Sequence, residues 1–180
     1  PDLSNVTSMA EMFNNSGWDG AVTGWNMESV LTIAYMFLSA NSFNKPLDWI
    51  NTSGITNMSY LLFSNSLFNQ PIEFNTESVI SMQYMLSGAT KFKQSLGSLN
   101  IESVTNISNL VSATHDINDE GTTINYDNTL ISFAQQAETY NKSGLLFHGG
   151  NSKYSATAQS ARDYLVNTKG WTITDGGLQV

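Results

Sequence analysis

Residues 51–72, NTSGITNMSYLLFSNSLFNQPI, decide the fold, because the chain repeats their pattern along most of its length. A small aliphatic residue recurs at Val6, Val30, Ile55, Val79 and Val104, at intervals of 24, 25, 24 and 25 residues. Three positions on stand Met9, Ile33, Met58, Met82 and Ile107. Six and seven positions on stand Met12–Phe13, Met36–Phe37, Leu61–Leu62, Met85–Leu86 and Leu110–Val111. Thirteen on come Phe43, Phe68, Phe92 and Ile117, with Trp18 arriving one residue early in the first unit. Self-similarity at a period near 25 is the mark of stacked repeats, in which each unit buries its apolar face against its neighbours.

Apolar positions 0, 3, 6 and 7 fall on one stripe at helical pitch, so this segment of each unit is expected to be a short helix. Glu28–Ser29, Glu77–Ser78 and Glu102–Ser103 supply an acid and a hydroxyl where such a helix would begin. The preceding segments, at 22–26, 47–51, 72–75 and 96–100, are expected to be short strands. One strand and one helix per unit describe an α/β, LRR-like right-handed solenoid with a parallel sheet. Four residues before each aliphatic anchor stands Asp2, Asn26, Asn51, Asn75 or Asn100, and the series continues to Asn125 and Asn151. These amides are expected to form a structural ladder that satisfies turn backbone groups inside the solenoid. Past residue 125 the pattern loosens. The repeats occupy 1–125, and 126–180 is expected to be a C-terminal cap, with helices at 126–140 and 155–167 and strands at 145–147 and 170–175.

Composition narrows the function. The 180 residues carry a formal net charge of −8, which argues against a nucleic-acid partner and against docking on an anionic membrane. The longest apolar run, Ile33–Leu38, is too short to enter a bilayer. No cysteine is present, so thiol catalysis and thiolate metal sites are excluded. The chain opens on Pro1 without a signal-like segment, as a processed protein or an excised piece would. There is no Gly-x-Ser-x-Gly elbow, phosphate-cradling loop or His-Glu-x-x-His helix. The only histidines are His115 and His148. A non-enzyme without cofactor or metal is expected.

The units 26–47 (NMESVLTIAYMFLSANSFNKPL) and 51–72 resemble the BspA-like leucine-rich repeats of bacterial surface proteins, a repeat also seen in Mycoplasma surface lipoproteins. The shared pattern is Val-x-x-Met-x-x-Met-Phe followed by Phe-Asn-Gln-Pro. The tail, with Gly150-Asn151-Ser152-x-Tyr154 and Gly170-Trp171-Thr-Ile173-Thr-Asp175, is similar to the ending of many bacterial members. Unit one lacks the Phe-Asn-Gln-Pro turn, and unit four has Phe92-Lys93-Gln94-Ser95. The resemblance implies an extracellular or cell-surface module that binds a protein or glycan on a host or neighbouring cell. The opposing reading is a structural spacer within a larger surface protein.

Candidate ligand-binding residues follow from position. Tyr35, Tyr60 and Tyr84 occupy position 5, about 170° from the stripe at helical pitch, and are expected to stack on the outer face. Trp49, with Asp48 and Glu73, is expected on the face opposite buried Leu47, Ile50, Ile72 and Phe74, where it could meet a sugar ring or a basic segment; a rim aromatic is the plainer reading. Residues 116–127 superficially match a calcium loop, but the repeat register accounts for Ile117, Asn118 and Asn125 without calcium. A row of Glu28, Glu77 and Glu102 is read as capping rather than as a cation site. An N-terminal end exposing Met9, Met12 and Phe13 would offer a route to self-association.

Overall fold

The computed structural model describes residues 2–111 and 115–180. The aliphatic stripe is buried in the second to fifth repeats, where Val30, Ile33, Met36 and Phe37 and all their later counterparts are at most 1% exposed. The segments carrying it are not helices. Position 5 holds a positive φ in every unit: Glu11 at 61°, Tyr35 at 60°, Tyr60 at 60°, Tyr84 at 55° and Asn109 at 53°. A right-handed helix cannot run through a left-handed residue. Each such residue is instead the third of a four-residue turn, closed by Met36 N to Ile33 O at 3.2 Å, Leu61 N to Met58 O at 3.2 Å and Met85 N to Met82 O at 3.1 Å. Positive φ at that place is what a type II turn demands. A second turn of this kind follows at Ser39, Ser64 and Gly88, with φ of 53°, 56° and 84°.

The turns use alternate N–H groups, and the others reach the next repeat. Ile33, Tyr35, Phe37 and Ser39 donate to the carbonyls of Asn57, Ser59, Leu61 and Phe63 at 3.1, 3.0, 2.9 and 2.8 Å. Met58, Tyr60, Leu62 and Ser64 repeat the pattern onto Ser81, Gln83, Met85 and Ser87. Backbone groups in this buried segment are thus paired within a turn or between turns.

The expected strands are also absent from the repeats. Successive units meet through single parallel bridges, Ser8↔Thr32, Thr32↔Asn57, Asn57↔Ser81 and Ser81↔Asn106, with Asn26↔Ile50 alone in the segment before the anchor asparagine. The LRR-like α/β solenoid of strand–helix units is therefore not what forms. Among the described residues there are two α-helices and one two-stranded parallel sheet, all in the C-terminal third, and a one-turn 3₁₀ helix at Thr52–Gly54.

That third follows its sequence pattern closely. Helix α1 spans Ile124–Thr139, strand β1 Leu146–His148, helix α2 Ala156–Asn167 and strand β2 Thr172–Thr174. The strands pair in parallel with Phe147 opposite Ile173. Val111 N donates to His148 O at 3.3 Å, which joins the last repeat to β1. One polar face of α1 satisfies backbone groups where the fourth repeat passes into the fifth. Thr129 Oγ1 accepts from Leu96 N at 2.9 Å, Ser132 Oγ donates to Gly97 O at 2.7 Å, and Gln136 accepts from Ile101 N at 2.8 Å while donating to Leu99 O at 2.9 Å. Behind the sheet, Arg162 and the Tyr126 hydroxyl both donate to the buried Asp175 carboxylate.

Aromatic rings run through the repeats as a column, Trp18 to Phe43 at 5.8 Å and then Phe43, Phe68 and Phe92 at 6.1 Å steps. Trp18 reaches this column despite its one-residue offset and lies flat on Phe13 at 3.9 Å. The N-terminal end is accordingly less open than the sequence suggests. Met9 is buried, Phe13 is half-covered, and only Met12 stands out, at 52% exposed.

Two predictions follow from the core. Asn65 is fully buried, and neither its amide nitrogen nor its oxygen has a partner; Ala40 and Ala89 occupy its place in the flanking repeats. Asn65→Ala should therefore stabilise the protein by about 1–2 kcal/mol, read as a raised melting temperature. His115 is buried with Nε2 against Phe92 O at 2.7 Å, and burial holds its pKa below the usual 6.5. As pH falls through the unfolded value, the unfolded chain takes up the proton first, so stability drops. Melting temperature should decline from about pH 6.5 downward, and His115→Gln should flatten that limb.

Candidate functional site

The three position-5 tyrosines form one ridge. Tyr35 and Tyr60 stack at 4.8 Å and 8°, Tyr60 and Tyr84 at 4.9 Å and 14°, and Phe63 leans on Tyr60 at 5.4 Å. All three rings are half-exposed. Partial burial first, and then its two phenol neighbours, push the Tyr60 hydroxyl above its ordinary pKa. The ridge stands on strained backbone, since a β-carbon at φ near 60° costs about 1–2 kcal/mol where glycine costs little. Ring pairing returns about 0.5–1.5 kcal/mol for each of the two contacts. Stacking thus offsets part of the strain of three tyrosines and leaves a residue.

Trp49 is placed differently from its expectation. It is buried, 5% exposed, and packs on Phe74 at 5.1 Å, whereas Ile50 is turned out and 52% exposed. The third unit has one residue more than the second before its asparagine, and the register takes the larger ring inward. The indole N–H has no acceptor. Asp48 and Glu73 are exposed as expected. Trp49 and Glu73 line one open cleft of about 360 Å³, together with Asn51, Thr52, Ser53, Phe74 and Asn75. Asp48 is not among its walls, and the tyrosine ridge is formed by other residues.

The anchor asparagines sit at a corner of the repeats and not in the interior. Asn26, Asn51 and Asn75 are exposed and Asn100 is half-buried. Asn26, Asn75 and Asn100 each accept from the N–H two residues on, at 3.1, 2.8 and 2.8 Å, which makes a local Asx turn. Glu28, Glu77 and Glu102 supply those N–H groups and cap no helix. Of the ladder, only Asn51 reaches a sibling, donating to Asn26 Oδ1 at 2.9 Å. Asn125 spans segments, donating to Lys93 O and Ile117 O. Asn151 is exposed, with its backbone N–H on His115 O. Other amides tie one repeat to the backbone of the next. Asn44 Oδ1 accepts from Asn69 N at 2.9 Å, and Asn69 Oδ1 accepts from Lys93 N at 2.8 Å and Gln94 Nε2 at 3.1 Å. The recurring Phe-Asn at 43–44 and 68–69 was their visible signal.

In the 116–127 loop the oxygen donors face other partners. Asp116 Oδ1 accepts from Asn118 N, Asn118 Oδ1 accepts from Tyr126 N, and Asp127 receives Ser155 N, Ser155 Oγ and Thr123 Oγ1. Among the described residues no three acidic or histidine side chains gather as a metal site would require. His115 and His148 likewise serve the backbone, His148 Nδ1 accepting from Gly150 N at 3.4 Å.

The two kinds of amide separate in a melt. Asn69→Ala, which removes an acceptor from Lys93 N and Gln94, should cost about 1–2 kcal/mol. Asn75→Ala opens only a solvated Asx turn and should cost about 0.5 kcal/mol or less.

No helix of the described residues is long and apolar enough to cross a membrane. No curated protein and no solved structure matches the chain. A family model described as "Mycoplasma protein of unknown function, DUF285" matches residues 1–73 and again residues 46–144. Those stretches take in all five repeats and α1, and the chain belongs to that family.

Proposed function

We propose that the protein is a non-catalytic recognition module of a bacterial cell surface, and that the Tyr35–Tyr60–Tyr84 ridge is its contact with a protein or glycan on another cell. The observation that carries this is the choice of residue at position 5. The backbone there asks for a residue tolerant of positive φ, and Asn109 meets that need in the last repeat. Bulky residues at such φ are outliers that point to a role beyond the turn. Tyrosine offers flat contact area and a hydroxyl at small entropic cost, which suits it to adhesive surfaces. The pattern Val-x-x-Met-x-x-Met-Phe with Phe-Asn-Gln-Pro resembles BspA-like surface proteins and supports an extracellular setting. Rigid repeats would hold the rings at a fixed pitch for a partner.

The test is surface-based binding to a panel of extracellular-matrix proteins and glycans, with a Tyr35/Tyr60/Tyr84→Asn triple variant beside the parent. Asparagine keeps the left-handed turns and removes the rings. Saturable binding that weakens at least about tenfold in the folded variant is the expected result. Binding that the variant retains would place the contact elsewhere, and no binding across the panel would favour a spacer.

A further inference from the structure

We propose that the cleft between Trp49 and Glu73 is a second site, which takes a neutral polyhydroxylated ligand such as a pyranose ring. The third repeat departs from its siblings at this one corner. Elsewhere the residue before the asparagine packs inward, as Phe74 and Leu99 do; here Ile50 points out and Trp49 fills the wall. Two residues after the asparagine the siblings carry Glu28, Glu77 and Glu102, and here stands Ser53, followed by Gly54. Asn51 adopts φ 56°, and Thr52–Gly54 wind into a 3₁₀ turn that no other repeat shows among the described residues. These changes leave the cleft of about 360 Å³, within the roughly 300–1,000 Å³ of small-molecule sites.

Its free polar groups are of mixed kind. Behind the wall the Trp49 indole N–H is buried without an acceptor, which makes it a reporter of the cleft and not one of its contacts. The Asn75 oxygen is held by Glu77 N, which leaves the amide nitrogen to donate. Asn51 donates to Asn26, which leaves its oxygen to accept, and Glu73 carries a carboxylate outside every ion pair described. Ser53 can do either. Hydroxyl groups donate and accept at once, so a sugar matches this alternation, and the narrow exposed edges of Trp49 and Phe74 give it an apolar border. No lysine or arginine lines the cleft, and Glu73 repels an anion.

The experiment follows the Trp49 indole resonance in ¹H–¹⁵N spectra, assigned with Trp49→Phe. The probes are methyl β-glucopyranoside, N-acetylglucosamine, glucosamine and glucuronic acid, each added to tens of millimolar. The neutral sugars should shift that resonance saturably. Glucuronic acid should bind at least about tenfold more weakly, and Glu73→Gln should close most of that gap. Ser53→Glu, which restores the residue of the sibling repeats at an exposed position, should abolish the shift without lowering the melting temperature. An indole resonance unmoved by both neutral sugars would overturn the proposal. So would equal binding of glucuronic acid, or a tenfold preference for glucosamine, which would mark a cation site. The tyrosine triple variant should leave these shifts intact, so the two sites stand or fall separately.

Discussion

A positive φ at the fifth position of every repeat is the constraint on which the rest depends. It stops the helix, closes a turn, and directs alternate N–H groups out of the segment toward the next repeat. Without the outward groups, consecutive units would be held in register by side-chain packing and a few bonds outside the turn segment, such as Thr56 N to Leu31 O and Asn69 N to Asn44 Oδ1. With them, each unit is a half-paired edge that its successor completes. Burial of Ile33, Met36, Phe37 and their counterparts then follows, because the stacking that pairs the backbone also closes the apolar face.

Much of this was legible, and the failures have definite causes. The period, the buried stripe and the two C-terminal helices could be read because each rests on spacing alone. The stripe's secondary structure could not. Apolar residues at positions 0, 3, 6 and 7 face one way on a helix, and they also face one way along consecutive type II turns. What separates the two is residue tolerance of positive φ, visible only faintly in Asn15, Gly88 and Asn109. Three tyrosines at position 5 conceal that signal, since their side chains disfavour the conformation they adopt. Trp49 and Ile50 were exchanged for a related reason: one added residue shifts the alternation, and volume then decides which side chain is buried. The asparagine ladder was sought at the most regular position, where the amides mostly bond their own turns and only Asn51 reaches Asn26, whereas Asn44 and Asn69 in the less regular turn bond the following repeat.

Both proposed sites lie at these same irregularities. Wherever the repeats agree, their residues account for packing and turns. The ridge and the Trp49 cleft are places where they disagree with the local requirement, through bulky rings on left-handed backbone and through a serine and a glycine in place of a glutamate and a serine. Natural sequences that are consistent elsewhere tend to break their local rules where something besides folding is asked of them. The C-terminal third shows the contrary pattern. Its polar groups, Gln136, Ser132, Thr129, Asp127 and Asp175, are matched within the chain.

The interrepeat hydrogen bonds of the turn segment also give the stack a direction. Within the turn segment the earlier unit donates and the later one accepts, as in Met9 N to Thr32 O and Ile33 N to Asn57 O, whereas just before that segment Leu31, Thr56 and Ile80 donate back to Thr7, Leu31 and Thr56. At the first repeat the carbonyls of Ser8, Ala10, Met12 and Asn14, whose equivalents at Thr32, Ala34, Met36 and Leu38 accept from a preceding unit, accept nothing among the described residues. This edge is a row of acceptors with one donor beside it, the Thr7 N–H, whose equivalents at Leu31, Thr56 and Ile80 donate to the unit before. Two copies meeting face to face through it would set oxygen against oxygen, in a molecule already carrying a charge of −8. Beside the exposed Met12, these carbonyls would be completed by a surface that brings N–H groups of its own.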